Sequence, residues 1–187
     1  MRIALSLASL LFANQALAQS AEAKPSSTWL VSLVGAMPAG DFPNSDFFDY
    51  DPGIGARVEW ESVHHTERLA LRASGEVLRF TGSSQSSVTV WSAQVGGASY
   101  GSALKSIIPY AIGMVGIATS AIDNCGIVHA ASADASSSAS CNPTRTNVAA
   151  TLGVGVRQEH GPFFVEARYG SAGPHLASMT GAIGIVF

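Results

Sequence analysis

Hydrophobic and polar residues alternate along most of this chain with a period of two. In residues 151–159, Leu152, Val154 and Val156 occupy one face, and Thr151, Gly153, Gly155, Arg157 and Glu159 the other. In residues 163–169, Phe163, Val165, Ala167 and Tyr169 oppose Phe164, Glu166 and Arg168. Residues 54–61 set Ile54, Ala56, Val58 and Trp60 against Gly55, Arg57, Glu59 and Glu61. Residues 68–76 set Leu69, Leu71 and Ala73 against Arg68, Arg72, Ser74 and Glu76. The last segment carries Met179, Gly181, Ile183, Ile185 and Phe187 on one face. Successive side chains of a strand point to opposite sides, so each segment reads as a strand with one apolar and one polar face. Eight such segments are expected, at 29–37, 53–62, 68–80, 87–100, 107–119, 147–159, 162–171 and 177–187. Segments of about ten residues with this alternation are the signal of strands that cross a bilayer.

The connections alternate too. Residues 63–67, 101–106 and 160–161 are short, 38–52 and 120–146 are long, and 81–86 and 172–176 lie between or are short. This order predicts an all-β protein, an eight-stranded antiparallel up-and-down transmembrane β-barrel. Both termini fall at its short-turn, periplasmic end. Trp29, Trp60, Tyr110, Phe163 and Phe187 then gather at that end. They are expected to face outward as an aromatic girdle, because large amphipathic rings favour the headgroup level.

The N-terminus reads as an export signal. Met1-Arg2 gives a positive start, residues 3–12 an apolar run, and Ala16-Leu17-Ala18 a small-x-small site before Gln19. The run is too short to span a bilayer, so cleavage after Ala18 is expected. Residues 19–28 are polar with Pro25 and read as a flexible periplasmic leader, leaving 29–187 as the barrel domain. The later run of residues 107–118 is broken by Pro109, Gly113 and Gly116, so no transmembrane helix is expected.

A signal of this kind, eight alternating strands, the segment Phe163-Phe164-Val165-Glu166-Ala167-Arg168-Tyr169 and a final strand ending in Phe187 resemble the small bacterial outer-membrane β-barrel domain proteins. These are the OmpA/OmpX-like and OmpW-like eight-stranded barrels. The resemblance implies location in the bacterial outer membrane, contact with outer-membrane lipid and lipopolysaccharide, and recognition of the C-terminal strand with Phe187 by the barrel-insertion machinery. A trailing peptidoglycan-binding domain, as in full OmpA-type proteins, is not expected after the barrel segment.

Composition narrows the function. The chain is 47% hydrophobic and 12% charged, which excludes intrinsic disorder. Lys+Arg is 10 against Asp+Glu 13, which excludes a basic nucleic-acid binder. The inward face is expected to hold Arg57, Arg68, Arg72, Arg157 and Arg168 with Glu59, Glu61, Glu76, Glu159 and Glu166. Arg or Lys facing mid-membrane lipid costs about 2–4 kcal/mol. Inside an eight-stranded barrel such groups can pair instead, since the bore is only wide enough for side chains. A two-residue turn at 160–161 places Arg168 opposite Gly153 and Glu166 opposite Gly155, where the glycines leave room. Glu61 facing Arg68 would set Glu59 diagonal to Arg72. A lumenal ion network filling the bore is expected ahead of a proton path or pore.

Cys125 and Cys141 bracket a Ser/Ala-rich stretch of the longest external loop, and the export route permits a disulfide between them. Closing a loop of this size stabilises by about 3 kcal/mol. The alternative, a metal pair with His129, has irregular spacing and only three ligands. Asp41, Asp46, Asp49 and Asp51 stand among Phe42, Phe47, Phe48 and Tyr50 without the spacing of a calcium loop, and read as a solvated loop. His64, His65, His129, His160 and His175 scatter over turns and loops. Ser171, His175 and Ser178 cluster near the outer rim, but no acid stands beside them to complete a hydrolytic set. The chain is therefore expected to be no enzyme and to need no cofactor. Its expected role is structural or in surface interaction through the external loops. The alternatives are a narrow channel for small or hydrophobic solutes and a lipid A-modifying enzyme. A soluble lipocalin-like barrel is the rival fold, with its apolar faces turned inward.

Overall fold

The computed structural model describes residues 26–39, 51–63, 68–82, 87–123, 144–172 and 176–187. The expected signal peptide, most of the leader, the cysteine pair, His64, His65, His129, His175 and the acidic loop apart from Asp51 lie outside the described residues.

Eight strands run in chain order: β1 (Ser26–Ala39), β2 (Gly53–Val63), β3 (Leu69–Thr81), β4 (Ser87–Tyr100), β5 (Ile107–Asp123), β6 (Thr144–Gln158), β7 (Phe163–Ala172) and β8 (Leu176–Val186). Each pairs antiparallel with its sequence neighbours, and β8 pairs with β1 to close the barrel. Closure extends to the last residue: the Phe187 N–H donates to the Trp29 carbonyl at 2.8 Å, and the Trp29 N–H donates back at 3.3 Å. With the barrel closed, each described strand has a partner strand on both sides and none is left as an open edge, which a lipid environment requires.

Three boundaries differ from the sequence pattern by three residues or more. β1 begins at Ser26, because Ser26, Ser27 and Thr28 pair with Val63, Ser62 and Glu61 and leave the expected leader. The β5–β6 ladder continues past the expected ends to Ala121↔Thr144. These extensions carry mostly Ser and Thr with little apolar alternation, so a ladder bond rather than a buried face holds them.

The barrel is apolar outside and charged inside. Leu33, Ile54, Leu71, Leu152 and Ile183 are each more than 60% exposed on the outer surface. Arg57, Glu59, Glu61, Arg72, Glu166 and Arg168 are buried in the lumen. The bore is layered. Ala70, Ala98, Tyr110 and Ile112 pack at the end holding both termini. Charged groups fill the middle, and Val34, Leu78, Phe80, Val88 and Val90 close the other end with a set of alanines.

Two glycines let the wall bend. A Cβ on Gly96 would lie 2.0 Å from the Gly113 carbonyl oxygen, and one on Gly116 would lie 2.0 Å from that of Ala93. Only glycine permits β4 and β5 to curl so closely over the lumen. The β4–β5 connection ends in a tight turn in which Leu104 and Ile107 exchange backbone hydrogen bonds at 2.8 and 3.2 Å. Lys105 at its tip has φ 61°, the left-handed region that suits glycine or asparagine.

Candidate functional site: the lumenal ion cluster

Four arginines and four glutamates meet in the middle of the lumen. Cross-strand pairing brings two couples together directly, Arg57 opposite Glu76 and Glu61 opposite Arg72. Arg57 Nε donates to Glu76 Oε2 at 2.7 Å, and Arg72 Nε donates to Glu61 Oε2 at 2.6 Å. The other contacts cross the bore. Arg57 Nη1 donates to Glu166 Oε1 at 2.7 Å, and its Nη2 to Thr180 Oγ1 at 3.3 Å. Arg168 Nη2 reaches both oxygens of Glu59 at 2.7 Å, and Arg157 Nη1 reaches Glu61 Oε1 at 3.1 Å.

Glu166 is the hub. It accepts from Arg57, from Arg72 at 3.2 Å, from Arg168 on its own strand two residues on, and from the Tyr110 hydroxyl at 3.0 Å. A carboxylate offers about four acceptor sites, and four donors fill them. Glu61 is met similarly by Arg72, Arg157 and the Tyr100 hydroxyl, the last at 2.5 Å. The Arg72 guanidinium also lies 4.8 Å from the centre of the Tyr110 ring, and that of Arg157 5.1 Å from Tyr100. The eight ionic groups balance, so the cluster carries no net charge to be neutralised by solvent.

Glycines make the room. The registers Gly153↔Arg168 and Gly155↔Glu166 agree with the expected ones. A Cβ on Gly153 would lie 2.7 Å from Arg168 Cγ, and one on Gly155 would lie 2.4 Å from the Tyr110 ring.

The geometry corrects the sequence reading at four places. Arg68 and Glu159 stand outside the cluster: both are exposed, Arg68 just before β3 and Glu159 just after β6, where the wall has ended. Glu61 faces Arg72 rather than Arg68, since the β2–β3 ladder is shifted by four residues from the assumed turn. Tyr110 does not belong to the girdle. It is 4% exposed and points into the lumen. β5 is apolar on both faces, so alternation could not choose the parity. The gap over Gly155 and the acceptor on Glu166 take the ring inward. Trp29, Phe163 and Phe187 do face outward at the terminal end, each more than half exposed, and Trp60 pairs with Trp29 there.

Tyr100, Tyr110 and Thr180 are the network members that the sequence pattern missed. None has a charged neighbour in the sequence, and on β5 alternation gave Tyr110 no face, so only the closed barrel brings them to the cluster. Beyond the cluster lies a cavity of about 50 Å³ lined by Ser74, Gln94 and Thr151 together with Arg57, Glu76 and Arg168. That is room for about two water molecules. Ser178 and Ser171 also border it. Among the described residues no group of three or more His, Cys, Asp or Glu is placed to hold a metal ion.

An inside-out, eight-stranded up-and-down barrel with an ion-filled bore is the architecture of the small outer-membrane barrels, and comparison of the structure agrees. The chain is similar to the crystal structure of Neisserial surface protein A (NspA), with a TM-score of 0.62 and 12% identity, over 87% of this chain and 97% of that one. It is also similar to Ail, the attachment invasion locus protein of Yersinia pestis, with a TM-score of 0.50 and 13% identity, over 89% of this chain and 100% of that one. At these identities the likeness is one of fold. No family model and no curated protein matches the sequence.

Proposed function

We propose that the protein is an exported outer-membrane barrel with a sealed lumen, whose role is structural or lies in surface interaction through its external loops. The observation that carries this is the inverted polarity of the wall. Large apolar side chains cover the outside, while balanced ion pairs fill the bore. A soluble barrel would place these faces the other way. The girdle of Trp29, Trp60, Phe163 and Phe187 sits at one headgroup level and supports the membrane reading. On this reading outer-membrane lipid surrounds the belt, the signal is cleaved after Ala18, and the insertion machinery takes hold of the strand that ends in Phe187. The alternative of a channel is disfavoured by the cluster, whose guanidinium and carboxylate groups bond one another across the bore.

The reading is tested on native membranes and in planar bilayers. The expected outcome is recovery in the outer-membrane fraction, faster migration on SDS gels before boiling than after, and little conductance. Recovery in the soluble fraction with unchanged mobility overturns the membrane reading. A large, steady, ohmic conductance overturns the sealed lumen.

A further inference from the structure

The apolar layer that closes the bore at the end away from the termini is lopsided. Leu78 and Phe80 of β3 and Val88 and Val90 of β4 supply most of its bulk. Across the bore β5, β6 and β7 supply only alanines: Ala118, Ala149 and Ala172. None of these seven is more than 8% exposed. Glycines of β2 seat the bulky side. A Cβ on Gly53 would lie 2.7 Å from Cδ1 of the Phe80 ring, and one on Gly55 would lie 2.9 Å from Leu78 Cδ2.

Polar surroundings lie on both sides of this layer. Between it and the ion cluster is the cavity of about 50 Å³, which Leu78 and Val90 line together with Ser92, Gln94, Thr151 and Thr180. Gln94 Oε1 is buried without a hydrogen-bond partner, and Arg168 Nη1 donates to the Met114 sulfur at 3.5 Å. Water in the cavity satisfies both groups. On the outer side the next inward positions of the β5–β6 ladder are polar: Asn147 pairs with Ala118, and Arg145 pairs with Ser120. The apolar layer is thus a dry constriction between two polar compartments.

The two barriers in the bore differ in kind. Arg57, Arg72 and Arg168 each meet Glu166 and a second carboxylate, so the cluster can exchange partners with its charges still met. Its Arg157 side chain is 25% exposed, which admits water at the terminal end. The apolar layer offers no such partner to an ion or to water, and a constriction of this kind conducts only when it wets. We propose that the layer of Leu78 and Phe80 is a hydrophobic gate, and that this gate, rather than the ion cluster, sets the permeability of the barrel to ions. The inference rests on the sealed-lumen reading above and names the layer that seals it.

The test records mean current through planar bilayers holding the full-length barrel, each variant being checked first for the unboiled fast-migrating form. The parent and the charge-balanced cluster variant Glu166→Gln/Arg168→Met are expected to stay closed. Leu78→Asn keeps the volume but offers a polar group, and Phe80→Ala removes the ring. Each is expected to raise the current about tenfold, the worth of one buried apolar side chain. Leu78→Ile, which changes shape but not polarity, is expected to stay closed. Either gate variant at the parent's level overturns the gate, and so does Leu78→Ile conducting as well as Leu78→Asn, which would show packing rather than polarity at work. Should Phe80→Ala not form the barrel, Leu78→Asn decides alone. A parent that already carries a large, steady current refutes the sealed-lumen reading. A closed parent whose cluster variant conducts with Leu78 and Phe80 intact refutes this inference alone.

Discussion

Glu166→Gln is the sharpest probe of the lumen, because it changes one charge with almost no change of shape. The parent cluster sets four arginines against four glutamates, with Glu166 receiving Arg57, Arg72 and Arg168. The substitution leaves one surplus positive charge in a bore where these guanidinium groups are almost fully buried. Breaking a buried ion pair in this way costs about 3–5 kcal/mol. Each arginine retains a second carboxylate: Glu76 for Arg57, Glu61 for Arg72 and Glu59 for Arg168. The amide oxygen also still accepts one or two bonds. The loss therefore belongs at the lower end, about 3 kcal/mol. A second change, Arg168→Met, restores charge balance and is expected to recover about 1–2 kcal/mol of it. Urea unfolding in lipid vesicles measures both, with Trp29, Trp60 and Trp91 on the outer surface as fluorescent reporters. If Glu166→Gln unfolds within about 0.5 kcal/mol of the parent, the scale of an ordinary surface substitution, then the carboxylate is solvated and the hub does not exist. If the double variant is less stable than either single one, the two residues stabilise by packing rather than by charge.

Other expectations follow from particular residues. Gly155→Ala puts a methyl group 2.4 Å from the Tyr110 ring and is expected to cost about 1–3 kcal/mol, recovered in part by Tyr110→Leu. An additive double variant would show that the two side chains do not compete for the same space. Lys105→Gly removes a side chain from a left-handed turn residue and is expected to stabilise by about 1 kcal/mol; a lowered urea midpoint would refute it. Cys125 and Cys141 are expected to be joined in exported protein, so alkylating mass tags should find no thiol before reduction, and two tagged thiols would contradict the bond.

Much of the barrel follows from the sequence alone because a strand has only two faces. The parity of Val154 against Arg157, or of Val165 against Glu166, assigns inside and outside without knowledge of any partner strand. The β6–β7 register was legible for a similar reason: a short connection leaves few ways to pair, and Gly153 meets Arg168 as the turn implies. Where the turn was less constrained the reading failed, and Glu61 found Arg72 four residues beyond Arg68. Parity also fell silent on β5, where apolar residues occupy both faces. There only the space above Gly155 and an acceptor on Glu166 turned Tyr110 inward. The pairings that seal the bore lay furthest from view. Arg57 with Glu166, Arg168 with Glu59, and Arg157 with Glu61 join residues about a hundred positions apart. Alternation says that a side chain points inward. Which group it meets depends on barrel closure and on the stagger of all eight strands, and those are properties of the closed tertiary structure.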